Sequence, residues 1–520
     1  MARLRHGGCD PVVDTALDAM DAAQLRALIH WLIPWLDDAT QARLMGEAVD
    51  RAARASGGWT GATPNRRRVE EIEAFAAAAR RVHGADPSDV DEYLRDGTLA
   101  FLARDHAAAC RIFRALLIPL GEGDIDLGER ELVEEVLGVD VDACATQYVV
   151  ARYMTASPKD RARAAMSAME DVRGIRTFFT PIGDIEGVAV DPLPDFDDFL
   201  VQWRSLVEKR VADAGKSVRD GREDRWLREV VARTQGAAGL AEIARRSRRA
   251  DDLRAWCSAL ANAREWSAAR AAYEEASELV EDHDHFRGYF FDGAALAAQE
   301  LGSDDFDAAL ERVWREAPSL TRLRRWLGGG TTRDELVTRA GAALEAVPAN
   351  AERQRALLYI LRGDFDATAT LLAEARGLGW SDAEHPGHLV FPLFVALLEG
   401  TTVSVQLPHD PTDVSHLLGD DRPKLRTTGL DELLRRAHVS PRDDEGIRSS
   451  MVAAMRAAAE KRVEGVTANK RRRGYDHAAS VAVQCARADG SSAGKDWLRD
   501  LIHAYRRYPA LKRAFEAAGA

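Results

Sequence analysis

The sequence predicts an all-α protein. Apolar residues recur at three- and four-residue spacing in many segments, and between Val69 and His83 they form one stripe along a helix. Thr332 and Glu335 have the T-x-x-E spacing of a capping box, which is typical of the first turn of a helix. The strict apolar–polar alternation of half-buried β-strands is almost absent. Together these observations indicate helices along nearly the whole chain of 520 residues.

Several predicted helix pairs carry a loosely repeated pattern of small and aromatic residues. Offsets 0, 4, 16, 20 and 23 are occupied by Tyr93, Gly97, Ala109, Phe113 and Leu116. This pattern resembles the tetratricopeptide (TPR) repeat, in which small residues let two helices approach and an aromatic ring fills the space between them. Further copies place their small residue at positions 269, 309, 368 and 478, which departs from the regular TPR period of about 34 residues. We therefore expect an irregular α-solenoid of TPR-like helical hairpins.

Two proline- and aspartate-containing segments interrupt the helical pattern. They run from Thr177 to Asp198 and from Thr401 to Leu430. Long connections of this kind are uncommon inside a compact domain, so we divide the chain there. We predict an N-terminal helical region with one TPR-like hairpin at 1–175, a connection at 176–200, a central TPR-like α-solenoid at 201–400, an irregular linker at 401–430 and a basic helical region at 431–520.

The composition excludes several classes of protein. A net charge of −13 argues against a generally basic nucleic-acid coat, and a hydrophobic content of 46% argues against global disorder. Five scattered cysteines predict neither a disulfide framework nor a four-cysteine zinc site. The longest apolar stretch, 388–398, is shorter than the roughly 20 residues of a membrane span. We expect a cytoplasmic protein with no membrane partner, and the strong excess of Arg over Lys suggests a bacterial genome.

The C-terminal region is basic although the whole chain is acidic. Positions 461–520 hold thirteen Lys and Arg against six Asp and Glu, a local charge of +7. Arginine suits phosphate contacts, and tyrosines placed between basic residues suit stacking on bases. The alternative is that these charges face solvent or pair with the acidic part of the same chain. The candidate binding residues are Arg471, Arg472, Arg473, Tyr475, Arg506, Arg507 and Lys512.

Two further resemblances fall in this region. Four residues separate Arg472 from His477, a spacing that resembles the R-x4-6-H motif of HEPN ribonucleases. That resemblance implies an Arg and a His that activate a ribose hydroxyl and stabilise a charged phosphate, although Arg473 stands where the family usually has a small polar residue. The segment 470–515 resembles the helical tail of bacterial SWIM zinc-finger proteins. The cysteine pattern of the zinc finger is missing, so this second resemblance implies only a helical interaction tail. The residues that carry it are Arg472, Tyr475, Ala478, Ala479, Trp497, Leu498, Tyr505, Arg506, Arg507, Pro509, Ala510 and Leu511.

The sequence predicts no cofactor and no metal site. His283 and His285 beside aspartates, and His385 with His388 after Glu384, are metal-ligating residue types, but neither group has the ligand number and spacing of a zinc centre. The HExxH, GxSxG and Rossmann glycine patterns are absent.

We therefore expect a non-catalytic interaction scaffold or adaptor that binds a protein partner. The alternative is a nucleic-acid-binding module or a HEPN-like ribonuclease on the basic C-terminal helices, with Arg472 and His477 as its catalytic residues.

Overall fold

The structure is a computed structural model that describes residues 11–128, 132–214, 220–280, 286–401, 423–440 and 444–520. Throughout these ranges the regular secondary structure is helical and no β-strand is present, so the all-α prediction is confirmed. The chain divides into two compact units, Met1–Gly236 and Ala237–Ala520. One helix, Arg222–Ser247, crosses this boundary, and it is broken at Gly236, which has a φ of 61° and a ψ of −151°. Residues other than glycine rarely adopt this backbone conformation.

Unit 1 is a packed helical body. Its helices are α1 (Pro11–Asp18), α2 (Ala22–Leu32), α3 (Asp38–Ser56), α4 (Arg66–Val82), α5 (Pro87–Leu102), α6 (His106–Glu122), α7 (Val133–Val136), α8 (Val141–Thr155), α9 (Arg161–Asp171), α10 (Pro181–Val188), α11 (Phe196–Ala214) and the first part of α12 (Arg222–Ser247). α6 packs on α4, α5 and α8, and α8 packs in turn on α9 and α10.

The hairpin of α5 and α6 contains the first of the small–aromatic patterns. Phe113 is fully buried, and a Cβ atom at Gly97 would lie 2.7 Å from one of its ring carbons. Ala109 is also fully buried on the same helix as Phe113. Small and aromatic side chains thus fit together across this hairpin.

The proline-containing segment predicted as a connection at 176–200 lies within unit 1 and includes α10 and the start of α11. Two of its carbonyl groups are bound by large side chains of the unit. The indole Nε1 of Trp226 donates to the Phe178 oxygen at 2.9 Å, and the Tyr153 hydroxyl donates to the Pro194 oxygen at 2.6 Å. These hydrogen bonds attach the segment to the helical core. They also provide acceptors for the indole N–H and the hydroxyl, as buried donors normally require.

Unit 2 consists largely of helices that pack on their neighbours in the sequence. These helices are α13 (Ala250–Asn262), α14 (Trp266–Leu279), α15 (Arg287–Leu301), α16 (Phe306–Glu316), α17 (Leu320–Leu327), α18 (Arg333–Ala346), α19 (Glu352–Arg362), α20 (Phe365–Glu374), α21 (Gly387–Glu399), α22 (Leu430–Arg436), α23 (Glu445–Ala468), α24 (Tyr475–Asp489), α25 (Ser492–Ala504) and α26 (Pro509–Ala518). Consecutive helices pack on each other from α13 to α17 and from α18 to α20. After these, α23 packs on both α20 and α24, and α24 packs on α25 and α26.

The C-terminal region shares its hydrophobic core with the central region. One continuous cluster of buried side chains includes residues from Phe291 on α15 to Phe515 on α26. Of the predicted linker 401–430, residues 402–422 lie outside the described ranges. The part that follows them is bound to the helices, since Arg324 Nη2 donates to the Thr428 oxygen at 2.8 Å and Gln299 Nε2 donates to the Lys424 oxygen at 3.2 Å.

The capping box predicted at the start of α18 is confirmed. The Thr332 hydroxyl accepts a hydrogen bond from the Glu335 N–H at 3.3 Å, and the Glu335 carboxylate accepts one from the Thr332 N–H at 3.2 Å. Both bonds satisfy backbone donors that have no partner inside the helix.

Gly377→Ala is expected to destabilise unit 2 by about 2 kcal/mol. A Cβ atom at Gly377 would overlap the carbonyl oxygen of Lys461 on α23. Relieving this overlap requires a shift of the backbone of a packed helix, which costs free energy. Urea unfolding measures the change. The matched control is Gly341→Ala on α18, where a Cβ atom meets nothing within 4 Å. We expect that control to stabilise the protein by up to about 1 kcal/mol, because alanine favours a helix interior. Equal effects of the two variants would contradict this account.

Candidate functional site

The predicted basic residues lie in two turns of the C-terminal helices. The first turn joins α23 to α24 and includes a 3₁₀ helix, Arg472–Gly474, after Lys470 with its φ of 54°. The second turn joins α25 to α26 and contains Arg506 and Arg507. Lys512 follows in the first part of α26.

Contacts between α25 and α23 bring these two turns to the same end of the helices. The Trp497 indole Nε1 donates to the Glu460 carboxylate at 2.6 Å. Further along both helices, Tyr505 lies within electrostatic reach of Glu464. α25 therefore runs in the same direction as α23, so the turns that follow the two helices lie at the same end. We call the surface formed by Arg471, Arg472, Arg473, Arg506, Arg507 and Lys512 the basic end.

Three of these arginines are not paired with a counter-charge from any described residue. Arg471, Arg472 and Arg473 are exposed, and none forms an ion pair or a side-chain hydrogen bond within the described part of the chain. The others have weak local contacts. Arg506 Nη1 lies 3.0 Å from His503 Nε2, and the Arg507 guanidinium lies 5.4 Å from the centre of the Tyr508 ring. Lys512 Nζ is 3.7 Å from the Glu516 carboxylate. The basic end thus holds charge that the structure leaves open to a ligand.

The predicted stacking residue Tyr475 is placed differently from its basic neighbours. It is only 6% exposed and belongs to the hydrophobic core at the start of α24. Tyr505 and Tyr508 are half-buried against the same core, and their ring centres are 6.1 Å apart. A base-stacking surface needs exposed ring faces, so the geometry favours contacts of the arginines with anionic groups over stacking.

The residues of the ribonuclease alternative have separate surroundings. Arg472 and His477 are both exposed, and the His477 ring also packs against Trp380 with ring centres 4.8 Å apart. Desolvation and the nearby Arg462 lower the pKa of His477 to about 4. Neither a hydrogen bond nor a ring contact joins Arg472 to His477 in the described residues.

The histidines predicted as weak metal candidates bind backbone groups. His385 is 5% exposed, its Nε2 lies 3.2 Å from the Arg376 oxygen, and its Nδ1 accepts a hydrogen bond from the Gly387 N–H at 3.1 Å. The lone pair that would bind a metal is therefore occupied. In the described ranges no group of three His, Cys, Asp or Glu residues could hold a metal ion. His283 and His285 lie outside those ranges.

Unit 1 contains a cleft that the sequence analysis does not predict. Its volume is about 460 Å³, and residues of α3, α5, the N-terminal part of α8 and the end of α10 line it. A possible sequence signal is the pair Thr98 and Gln147, since each is a polar residue on a mostly apolar helix face.

No protein-family model matches the sequence, and no curated protein matches it. Among the described residues, no helix has the length and apolar character needed to cross a membrane.

Proposed function

We propose that this protein is a non-catalytic interaction scaffold whose basic end binds an acidic segment of a partner protein. The observation that carries the proposal is the trio Arg471, Arg472 and Arg473, which are exposed together and form no ion pair with any described residue. Elsewhere in the chain many arginines pair with carboxylates, as Arg245 does with Glu275 at 2.6 Å. Three adjacent unpaired guanidinium groups repel one another, and an acidic ligand would relieve that repulsion.

The surrounding helices support a scaffold. We propose that unit 2 is an irregular α-solenoid of TPR-like hairpins, an architecture that presents extended surfaces built from several helices. The turns of the basic end follow long helices that are anchored in the continuous core. A rigid turn lowers the entropy cost of binding, because its backbone is ordered before the partner arrives.

We expect neutralising the trio to weaken binding of an acidic peptide at least tenfold. The variant is Arg471→Gln/Arg472→Gln/Arg473→Gln, and the probe is a short fluorescent oligoglutamate titrated by anisotropy. A tenfold loss of affinity corresponds to about 1.4 kcal/mol of binding free energy. The loss of three charge-assisted contacts is expected to reduce the binding free energy by more than this. The binding should also fall as salt is raised, because the charges are exposed.

The matched control removes three exposed arginines elsewhere, Arg67→Gln/Arg81→Gln/Arg362→Gln. These side chains also have no ion pair among the described residues, so the net charge changes equally. Unchanged binding in the control is expected. If both triple variants bind the oligoglutamate as the wild type does, the proposal fails.

Nucleic acid is the second candidate partner, since the same unpaired guanidinium groups suit phosphates. Single-stranded RNA and duplex DNA are therefore titrated in parallel. Binding of these probes without binding of oligoglutamate, and with a steep salt dependence, would replace the acidic protein partner by nucleic acid. Cleavage of the RNA that is lost in His477→Ala would establish the ribonuclease alternative and overturn the non-catalytic role.

A further inference from the structure

We propose that the cleft of unit 1 binds a small ligand that carries both a carboxylate and an amine, such as a free amino acid or a dipeptide. The volume of about 460 Å³ falls in the range of small-molecule sites. The cleft belongs to unit 1 and the basic end to unit 2, so the inference is independent of the proposed function.

Arg95 would bind the carboxylate. It lies on α5, lines the cleft and is half-buried, yet no ion pair or hydrogen bond of its guanidinium exists with any described residue. Two carboxylates of the lining already have partners within unit 1. Glu47 pairs with Arg51 at 2.6 Å, and the Asp140 carboxylate accepts from the Ala143 N–H at 2.9 Å. A planar guanidinium that lacks a counter-ion suits a carboxylate, which it can hold with two parallel hydrogen bonds.

Gln147 supplies a second and independent indication of a polar ligand. It lines the cleft and is only 5% exposed. Its amide oxygen accepts from the Thr98 hydroxyl at 2.9 Å, whereas no described residue binds its amide nitrogen. A buried amide normally uses its donors, so this nitrogen would donate to an oxygen of the ligand.

The acidic residues of the lining favour a ligand that also carries an amine. Glu47, Glu134, Asp140 and Asp142 are acidic residues at the cleft, and they outnumber the single arginine there. Burial raises the pKa of the Asp142 carboxyl, although Arg176 opposes that shift. Acidic groups around one arginine disfavour a simple anion and favour a ligand with charges of both signs.

The cleft is inferred to bind its ligand without a covalent step. Cys144 lines it and is buried, and burial raises the pKa of its thiol to about 12. The thiolate is the nucleophilic form of cysteine, and at neutral pH this residue is a neutral thiol. Cys144 therefore contributes packing to the wall of the cleft.

The experiment is a calorimetric titration of the full chain with four matched probes. L-alanine and L-alanyl-L-alanine carry both charged groups, N-acetyl-L-alanine carries only the carboxylate, and L-alaninamide carries only the amine. We expect at least one of the first two to bind at millimolar concentration or below, and each single-charge analogue to bind at least tenfold more weakly. The better of the first two distinguishes an amino-acid site from a dipeptide site.

Two variants connect the binding to the cleft. Arg95→Gln should weaken the zwitterion at least tenfold, and Val139→Trp should abolish binding by filling the space. Thermal melting shows whether each variant is folded. Arg114→Gln, an exposed position on α6 of the same unit, is the matched control and should bind as the wild type does. The inference fails if no probe binds, if a single-charge analogue binds as well as the zwitterions, or if Arg95→Gln and Val139→Trp both leave binding unchanged.

Discussion

Replacing Asp292 with Asn is expected to lower the unfolding free energy of unit 2 by about 3 kcal/mol. The Asp292 carboxylate lies between two arginines of α17, accepting from Arg322 Nη2 at 2.7 Å and from Arg325 Nη1 at 2.8 Å. The two arginines are only 4% and 5% exposed. The carboxylate is therefore the acidic partner that two nearly buried guanidinium groups share.

The size of the effect follows from the burial of the charges. Two cations in a region of low dielectric repel each other strongly once the anion between them is removed. Asparagine keeps the shape of the side chain, but its amide group places N–H donors against guanidinium groups that are themselves only donors. The remaining bonds of the arginines, such as Arg325 Nε to the Thr427 hydroxyl at 3.0 Å, do not replace the negative charge.

Urea unfolding combined with hydrogen exchange of α15 and α17 would measure the loss in unit 2 itself. Glu311→Gln is the matched control, because it also removes a carboxylate paired with an arginine of the same unit. Its partner is Arg315 at 2.7 Å, and both side chains are more than a third exposed. An exposed pair contributes less than about 1 kcal/mol. Equal losses of unfolding free energy in the two variants would show that the buried ion pairs of Asp292 stabilise unit 2 no more than an exposed pair does.

Features that depend on neighbouring residues could be predicted from the sequence. The apolar stripe between Val69 and His83 lies almost entirely in α4, and the T-x-x-E spacing at Thr332 forms the predicted capping box. Each of these signals arises within one or two helical turns, where spacing fixes which side chains share a face. The exposed positions of Arg471, Arg472 and Arg473 follow in the same way from a short polar turn between two apolar helices.

Features that depend on distant residues could not be predicted. Tyrosines placed between basic residues predict that Tyr475 stacks on bases. In the structure, the position of Tyr475 on its helix directs the ring into the core. The residues between position 422 and α22 have no helical pattern. Arg324 nevertheless binds the carbonyl oxygen of Thr428 there, although the two residues are about a hundred positions apart in the sequence. The cleft is lined by Arg95 and Gln147, which come from two different helices. The pattern of a single sequence shows which residues share a face of a helix. It does not show which other helix or segment packs on that face.

Unit 2 is expected to lose stability as the pH falls from about 6.5 to about 4, and His385 contributes to this loss. Desolvation, together with the nearby His388, lowers the pKa of His385 to about 4. Protonation of Nδ1 would break the hydrogen bond from the Gly387 N–H and place two donors against each other. The Trp380 ring packs against the His385 ring, with ring centres 4.6 Å apart.

The direction follows from proton uptake in the two states. Between the two pKa values the unfolded chain binds a proton at position 385 and the folded chain does not, so acid favours unfolding. A difference of between two and three pKa units corresponds to about 3 kcal/mol. His388 and His477 also have lowered pKa values, so the wild type is expected to lose more than His385 alone accounts for.

His385→Gln separates this contribution from those of the other histidines. Glutamine can donate to the Arg376 oxygen and accept from the Gly387 N–H without titrating. We expect the variant to be less stable than the wild type at pH 8 because the ring packing on Trp380 is lost, and the difference to shrink as the pH falls toward 4. Hydrogen exchange of α21 and α24 at several pH values measures both effects. His503→Gln, an exposed position on α25, is the control. A constant difference between wild type and His385→Gln across this range would show that His385 does not titrate with a lowered pKa.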